Sequence, residues 1–307
     1  MTPILAGVLP VFALIALGWS LKASAAMPAD TWRPIERLVY FVLYPGFLIP
    51  AIWKAELSGL SAGTLSLATV AGVSAVGAAC VALKPLLKVS GPTFTSVFQG
   101  ATRWNAFVFL PVVGAVFGEA GLALGAVVMS ALIPFINVIA VLVMTRWGEG
   151  QAGRDPRALA RSMFTNPVLV SCLIGLALNL LDVPLIPGLF GALELLGDAA
   201  LPMGLIIAGA GLSFRDAASR PWTIGLVTAA KLLALPLAMW GFARLFGGDA
   251  LVQGVALCCG ATPAAAASYV MARQMGGDAP LMAGIVAFTT VGSALTIPVL
   301  LAVFHFV

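Results

Sequence analysis

The sequence contains few charged residues: Asp, Glu, Lys and Arg make up 9% of its 307 residues, whereas 61% are hydrophobic. A soluble domain carries roughly 25% charged residues, so this chain has too little polar surface to fold around a water-excluded core. Its mean hydropathy of +1.07 indicates that lipid is the surrounding solvent. The net charge of +4 does not indicate a nucleic-acid partner, because the basic residues are scattered through loops.

Residues that perform catalysis or bind metals are also scarce. The chain has one histidine, His305, and its four cysteines lie in apolar stretches without metal-ligand spacing: Cys80, Cys172, Cys258 and Cys259. An enzyme would need a nucleophile with a base, or a metal set, and the acidic residues are not clustered. A sensor would normally bring a signalling domain, for which the longest polar connection is too short. We therefore predict no enzymatic activity, no metal and no cofactor, with a membrane-embedded enzyme and a non-transporting sensor as alternatives to a transporter.

Apolar runs separated by short breaks predict ten membrane-spanning helices, since a spanning helix needs about 20 mainly apolar residues. The predicted spans, numbered 1 to 10, cover residues 3–21, 33–53, 62–83, 93–117, 120–145, 164–182, 188–212, 222–245, 250–272 and 279–304. The one sizeable polar connection is 146–163, at the middle of the chain. The apolar start resembles a signal peptide, but no basic region precedes its long apolar run, so we interpret it as a retained first span.

The distribution of Lys and Arg predicts the orientation of the spans. If the central connection is cytoplasmic, the loops on its side hold twelve of the 16 basic residues. These are Lys22, Arg33, Arg37, Lys84, Lys88, Arg146, Arg154, Arg157, Arg161, Arg215, Arg220 and Arg273. The opposite side holds Lys54 and Arg244, while Arg103 and Lys231 fall within spans. We therefore expect a multi-pass protein of the inner (plasma) membrane with both termini outside, on the periplasmic side.

Short sequence matches at a nearly constant offset relate the two halves of the chain. The matches join Gly100-Ala101-Thr102 to Gly260-Ala261-Thr262, Gly118-Glu119-Ala120 to Gly277-Asp278-Ala279, Thr64, Leu67 and Thr69 to Thr223, Leu226 and Thr228, and Pro45 to Pro202. Five spans per half is an odd number, so the second half must enter the membrane from the opposite face, as in inverted-repeat carriers. We predict a first repeat at 1–146, a cytoplasmic linker at 147–163 and a second repeat at 164–307. Either of the two prolines could instead be only a helix kink.

Span 9 carries helix-breaking residues at the depth where inverted-repeat carriers bind their substrates. Thr262 is a good N-cap, and Pro263 is of a type favoured at the first helical position. This pair predicts the start of a half-helix in the middle of the membrane. The free N–H groups and the positive dipole end of such a half-helix would face a cavity.

Span 4, which matches span 9 in the repeat, contains Arg103 near its centre, followed by Asn105 and Pro111. The proline removes one donor from the helical ladder and leaves backbone groups that protein, water or substrate must satisfy. An arginine inside the membrane is costly, so Arg103 is expected to face a cavity or a partner. Structural roles fit the pattern too: Arg103 as a counter-charge for Asp198, and Asn105 as a helix cap that does not touch ligand.

Two further charged residues lie in apolar surroundings. Asp198 shares a face of span 7 with Glu194, four residues earlier. Together with Lys231 of span 8, Asp198 forms a candidate proton-relay or ion-pair set. A buried pair that only holds helices together fits the pattern equally well. The regularly spaced glycines between positions 114 and 125 predict close helix packing without chemistry.

Motifs along the whole chain resemble those of one family. They are Tyr44-Pro45, Arg103-x-Asn105 with Leu110-Pro111, Asn166-Pro167, Leu201-Pro202, Thr262-Pro263 with Ser268-Tyr269-x-x-Ala272, and the stretch from Thr289-Thr290 to Pro298. Together they resemble the auxin efflux carrier family of membrane transport proteins, which includes the PIN-type auxin exporters of plants and bacterial permeases associated with malonate or malate.

The resemblance implies the fold of the bile acid:sodium symporters, an all-α membrane fold in which broken spans 4 and 9 cross at the site. In that fold spans 1, 2, 6 and 7 form a scaffold, and spans 3–5 and 8–10 form a transport domain. The resemblance also implies a homodimer and organic-anion substrates, with Asn105, Pro111 and Pro263 at the site. The chain departs from the family at Phe107 and Phe109, where small residues are common, which predicts a tighter or more apolar pocket.

These features predict a secondary transporter, a symporter or uniporter, that moves a small organic anion, a carboxylate, by alternating access. The expected substrate-binding residues are Thr102, Arg103, Asn105, Phe107, Phe109, Pro111, Thr262, Pro263, Ser268 and Tyr269. A sodium site would need clustered oxygen ligands. Few such ligands are evident near the crossing, so the sequence favours proton coupling or uniport over sodium coupling.

Overall fold

The computed structural model describes residues 2–54, 60–149, 167–214 and 220–306, and in these ranges the chain is helical, without β-strands. The α-helices α1 to α13 are Thr2–Ala23, Trp32–Leu38, Tyr44–Trp53, Leu60–Leu87, Gly91–Thr102, Ala106–Trp147, Pro167–Leu180, Pro187–Ala210, Pro221–Ala229, Leu235–Leu245, Ala250–Ala261, Ala267–Met275 and Ala279–Val303. Six helical stretches within the described ranges are long and apolar enough to cross a membrane: Trp32–Trp53, Ala62–Leu87, Gly91–Trp147, Pro187–Ala210, Pro221–Leu245 and Ala279–Val303. Together with the composition, these stretches make the chain an all-helical, multi-pass membrane protein.

Several helix bounds agree closely with the sequence prediction. Span 7, predicted at 188–212, corresponds to α8, and span 10, predicted at 279–304, corresponds to α13. The arrangement of ten spans as two inverted repeats stays a prediction. Most of the central connection, from residue 150 to residue 166, lies outside the described residues.

Two helical stretches contain a π-helical turn, at Val39–Leu43 between α2 and α3 and at Ala230–Ala234 between α9 and α10. A proline follows each turn closely, Pro45 after the first and Pro236 after the second. Because proline has no N–H and its ring displaces the carbonyl four residues earlier, the backbone takes a wider turn before it. Pro202 behaves differently, since α8 continues through it as an α-helix.

The helix α6 reverses direction at Gly118, whose backbone has φ 63° and ψ −151°. The stretch Gly91–Trp147 has 57 residues and would be about 85 Å long as one straight helix, far more than a membrane is thick. The two arms of α6 instead pack on each other: a Cβ atom at Gly121 would lie 2.6 Å from the carbonyl oxygen of Val113. The boundary predicted between spans 4 and 5 is therefore a sharp turn that needs glycine at position 118.

The helices α1 and α8 approach each other more closely than side chains would allow. A Cβ atom at Gly18 would lie 1.9 Å from the carbonyl oxygen of Ile206, and one at Gly209 would lie 1.9 Å from that of Ile15. Small residues that let backbones touch are typical of tightly packed helices in membranes. This contact makes α1 and α8 a closely packed pair.

The described helices form two packing groups. In the first, α1 packs along α8, and α3 packs between α7 and α8. In the second, α4 packs against α10, α10 against α11, and α11 against α6. Contacts of α6 with α1, α7 and α8 join the two groups. At the start of α6, Phe107 packs against Tyr44 of α3, so this end of α6 contacts the first group.

A polar cluster, formed by Thr93, Ser96, Arg220 and Asp278, ties together the N-terminal ends of α5, α9 and α13. Arg220 forms an ion pair with Asp278, with 2.8 Å between Nη1 and Oδ2, and Thr93 Oγ1 donates to the same carboxylate oxygen at 3.0 Å. Ser96 Oγ donates to the main-chain carbonyl of Asp278 at 2.8 Å. Asp278 also caps α13 by accepting from the N–H of Leu281 at 3.1 Å. One carboxylate thus fixes three helix ends.

Candidate functional site

The first helix break lies at residues 103–105, between α5 and α6. The helix α5 ends at Thr102, whose Oγ1 donates to the carbonyl of Phe98 at 2.7 Å, and the backbone of Arg103 is extended. Asn105 then caps α6, because its Oδ1 accepts from the N–H of Phe107 at 2.9 Å. Asn105 is a buried residue, and its Nδ2 group forms no hydrogen bond among the described residues. Pro111 lies buried inside α6, beyond the break that it was expected to help form.

The second break lies at residues 262–266, between α11 and α12, and it corrects the role predicted for Thr262. Thr262 does not cap the second half-helix: its backbone is extended and its Oγ1 donates to the carbonyl of Cys259 at 2.8 Å, so it ends α11. Pro263 explains why α11 ends here, because the residue before a proline disfavours the helical conformation. Thr262 caps no second half-helix because the chain does not become helical at Pro263. The N–H of Ala264 donates to Thr289 Oγ1 at 3.1 Å, and α12 begins only at Ala267.

The start of α12 nevertheless presents free donors. Its N-cap residue, Ala266, has no side chain that could accept a hydrogen bond. In the described part of the chain no acceptor contacts the N–H of Ala265 or of Ala266. Ser268 is fully buried, and its Oγ has no hydrogen-bond partner among the described residues. A buried polar group without a partner is costly, so these groups are suited to bind a ligand.

Arg103 occupies the first break as a buried cation, with 7% of its surface exposed. Its Nη1 contacts the Sδ atom of Met271 at 3.7 Å, and its Nε has no partner. No carboxylate of the described residues lies within ion-pair distance of it.

The structure does not join Asp198 to either of its predicted partners. Asp198 is exposed on α8, and among the described residues it forms no ion pair with Arg103 or Lys231. Lys231 is fully buried, and its Nζ donates to the carbonyl of Gly260 at 2.6 Å. Four-residue spacing on a helix predicts a shared face, as for Glu194 and Asp198, but it does not predict which face turns inward. Glu194 lies 3.6 Å from Lys54 instead.

Contacts between the two breaks come through α12. Met271, which touches Arg103, lies three residues after Ser268 and therefore on the same face of α12. The unpartnered hydroxyl of Ser268 and the guanidinium of Arg103 thus belong to one region of the protein. Sequence reasoning did not single out Met271, because a methionine on a short apolar helix gives no signal of its own.

The aromatic residues predicted to bind substrate face different neighbours. Phe107 packs edge-on against Tyr44, with 4.7 Å between ring centroids, whereas Phe109 is fully buried against Trp104 at 5.0 Å. Tyr269 is half-buried, with the guanidinium of Arg273 at 5.9 Å from its ring.

Tyr44 is a site candidate that sequence reasoning did not include. Its hydroxyl is buried, and no hydrogen-bond partner for it exists in the described ranges. The closeness of Gly204 explains why the ring fits, since a Cβ atom there would lie 2.7 Å from Cδ1 of Phe107 and 3.1 Å from the Tyr44 hydroxyl. The Tyr44-Pro45 motif was the available signal.

Comparisons with known proteins identify the family of this chain. The model of the family described as "Membrane transport protein" matches residues 3–301. The chain is 26% identical over 298 residues to an "Uncharacterized transporter" of Methanothermobacter thermautotrophicus, a match that covers 95% of each chain. It is 24% identical over 305 residues to a "Putative malonate transporter" of Rhizobium meliloti, covering 96% of this chain and 93% of the relative. With matches that extend over nearly its whole length, this chain belongs to the membrane transport protein family, the auxin efflux carrier family that its motifs resemble.

Proposed function

We propose that this protein is a secondary transporter that moves a small carboxylate across the inner membrane by alternating access. The observation that carries the proposal is Arg103, a buried guanidinium between the two packing groups that has no carboxylate partner among the described residues. An arginine at the centre of a membrane costs about 2.5–3.5 kcal/mol even on the most lenient scale. An anionic substrate would offset that cost while it is bound.

The donors around Arg103 suit a carboxylate in particular. The hydroxyl of Ser268 is buried without a hydrogen-bond partner in the described ranges, and Asn105 is a buried residue whose Nδ2 group forms no hydrogen bond there. The free N–H groups at the start of α12 add the positive end of a helix dipole. Fixed donors of this kind replace the water that a carboxylate loses on entering the membrane.

The proposed carrier has ten spans in two inverted repeats, with the broken spans α5–α6 and α11–α12 crossing at the site. The packing groups support a division into a scaffold of α1–α3, α7 and α8 and a transport domain of α4–α6 and α9–α13. The close backbone contacts at Gly18 and Gly209 suit a scaffold that stays still and pairs with a second copy in a homodimer. Arg103 and Asn105 then lie where the moving part meets the fixed part.

The names of the relatives support transport rather than enzymatic catalysis, and one of them names malonate. Malonate is a small dicarboxylate, which fits a site that offers a guanidinium together with several neutral donors. We therefore take malonate as the first substrate to test and a monocarboxylate, such as acetate, as the comparison.

The test is uptake of labelled malonate into liposomes that contain the purified protein. Arg103→Gln should raise the malonate concentration needed for half-maximal uptake by roughly ten- to a hundredfold, since a hydrogen bond to a charged group is lost. Arg103→Lys should keep part of the affinity, because it keeps the charge. Arg244→Gln is the matched control, since the Arg244 guanidinium lies at the surface, 5.6 Å from the ring of Trp240.

Two outcomes would contradict the proposal. One is a folded Arg103→Gln protein that takes up malonate with the affinity of the parent. The other is a parent protein that takes up neither malonate nor any other carboxylate, although it is correctly folded and inserted. A variant that only melts at a lower temperature, with unchanged half-saturation, would assign Arg103 a structural role.

A further inference from the structure

The buried Lys231 lies in the π-helical turn Ala230–Ala234, and its ammonium group is not paired with a carboxylate in the described part of the chain. None of its surface is exposed, and its Nζ donates to the carbonyl of Gly260 at 2.6 Å. An ammonium ion inside a membrane is costly, so a residue of this kind is a candidate for function. The proposed carboxylate site leaves Lys231 without a role.

The surroundings of Lys231 contain few titratable groups. The turn packs against α5, α9, α10, α11 and α13. Acidic residues occur only as N-caps on these helices, Asp249 before α11 and Asp278 before α13, at the far ends from the turn. Arg244 lies near the end of α10, and the thiols of Cys258 and Cys259 lie in α11. The ammonium group thus depends on main-chain oxygen for its compensation.

The carbonyl that Lys231 binds belongs to the C-terminal end of the half-helix α11. Carbonyls in the last turn of a helix lack partners within the helix. The N–H of Ala264, which would bond to Gly260 if the helix continued, donates to Thr289 Oγ1 instead. The oxygen of Gly260 is therefore an orphan acceptor at the negative end of a helix dipole. Lys231 supplies both the missing donor and a positive charge.

In inverted-repeat carriers, the carbonyls at such half-helix ends coordinate the coupling cation. We propose that the Lys231 ammonium takes the place of that cation, so that the protein carries its own positive charge at the end of α11 and needs no sodium ion there. The inference rests on the proposed function as a carrier. A tethered cation of this kind stays with the transport domain through the whole cycle.

The arrangement occurs in one repeat only. The offset that joins Thr64 to Thr223 places Gly72 opposite Lys231, and a Cβ atom at Gly72 would lie 2.6 Å from Cγ of Met239. The first repeat therefore has no room for a lysine at this position. Gly100, which matches Gly260, is packed by Ile285 and Val227.

The test uses Lys231→Ala, which removes a propylammonium group from the side chain and leaves a space of that shape. Uptake of malonate should fall by roughly ten- to a hundredfold, as expected when a charged hydrogen bond is lost. Added n-propylammonium should restore part of the uptake and raise the melting temperature of the variant. Propan-1-ol, which has a similar length and no charge, should do neither.

Lys22→Ala is the matched control. Its Nζ also donates to a carbonyl at the end of a helix, that of Ala210 at 2.7 Å, but Lys22 is exposed. Water can replace an exposed ammonium group, so we expect no loss of uptake and no response to n-propylammonium. The parent protein should show the same uptake and melting temperature in sodium and in N-methylglucamine at equal ionic strength.

The melting temperature is measured without substrate, so it reports on Lys231 even if malonate uptake fails and the proposed function with it. A folded Lys231→Ala protein with full uptake, or one whose melting temperature responds to no small cation, would refute the tethered cation. Sodium-dependent stability or uptake of the parent would refute it as well. If Lys231→Ala does not fold, Lys231→Met keeps the volume without the charge. That variant should lose uptake and ignore n-propylammonium, and unchanged uptake by it would also overturn the proposal.

Discussion

At the scale of single residues, Asn105 caps a helix and is proposed to bind the substrate. A single substitution that removes both groups cannot separate these two roles. Its Oδ1 caps α6 at the N–H of Phe107, while its Nδ2 has no partner among the described residues. Asn105→Ala removes both groups, so it should lower the stability by about 1 kcal/mol through the lost cap and weaken malonate binding. Asn105→Ser keeps an oxygen that can cap the helix but removes the amide donor. We expect Asn105→Ser to melt near the parent and to bind malonate roughly ten- to a hundredfold more weakly.

The comparison of the two Asn105 variants decides between the cap and the ligand role. Binding can be followed by the shift in melting temperature on addition of malonate, which needs no transport. Full affinity in the serine variant would show that Asn105 acts only as a helix cap.

The residues near the breaks show what the sequence could and could not predict. The burial of Arg103 was predictable, because an arginine inside an apolar span must face protein or a cavity. Its contact with Met271 joins residues 168 positions apart, and no local pattern marks such a pair. The error at Thr262 could not be avoided from the local sequence, because the extended backbone that Pro263 favours at Thr262 is also that of an N-cap. The late start of α12 goes with a distant contact, that of the Ala264 N–H with Thr289 Oγ1.

At the scale of secondary-structure elements, Gly118 makes the sharpest prediction. Its backbone conformation, φ 63° and ψ −151°, is one that residues with a Cβ atom adopt at a cost of about 1–3 kcal/mol. Gly118→Ala should therefore lower the free energy of unfolding by about that amount, measured as a lower melting temperature in detergent. Open space surrounds the Cβ position, so the effect would come from the backbone alone.

Gly225→Ala provides the control for Gly118. A Cβ atom at Gly225 would also meet open space, but this glycine lies inside α9 with helical geometry. Alanine favours a helix over glycine by about 1 kcal/mol, so this variant should melt at the same temperature or higher. Equal melting temperatures for the two variants would mean that the reversal of α6 does not need glycine.

Most helix bounds could be predicted because hydropathy in a membrane protein reports directly on helices. The interruptions were harder. The breaks have three residues in one half and five in the other, and their lengths depend on distant contacts such as that between Ala264 and Thr289. The π-helical turns before Pro45 and Pro236 were not predicted, since proline signals a distortion without specifying its form.

At the scale of the whole molecule, the orientation of the chain can be tested at residue 155. Side-chain contacts support the predicted alternation of sides, because they join loops assigned to the same face. Lys54 and Glu119, both in connections predicted outside, lie 3.6 Å apart, and Arg220 pairs with Asp278 at the predicted cytoplasmic face. In a cysteine-free background, Asp155→Cys should react with a membrane-permeant maleimide but not with an impermeant one in intact cells.

Glu119→Cys is the control for the orientation, since 87% of the Glu119 side chain is exposed at the opposite face. It should react with the impermeant reagent in intact cells. Reaction of position 155 from outside would reverse the topology and, with it, the assignment of both termini.

The polar cluster of Thr93, Ser96, Arg220 and Asp278 can form only late in the synthesis of the chain. Thr93 and Asp278 are 185 positions apart, so the ribosome completes one long after the other. At 5–20 residues per second, the first waits roughly 10–40 s for the second. During that interval α5 is already made, but its end lacks the carboxylate that will hold it. During synthesis, the N-terminal end of α5 must therefore stay free of non-native contacts until α13 is made. Folding of the first half of the protein is complete only when the second half supplies Asp278.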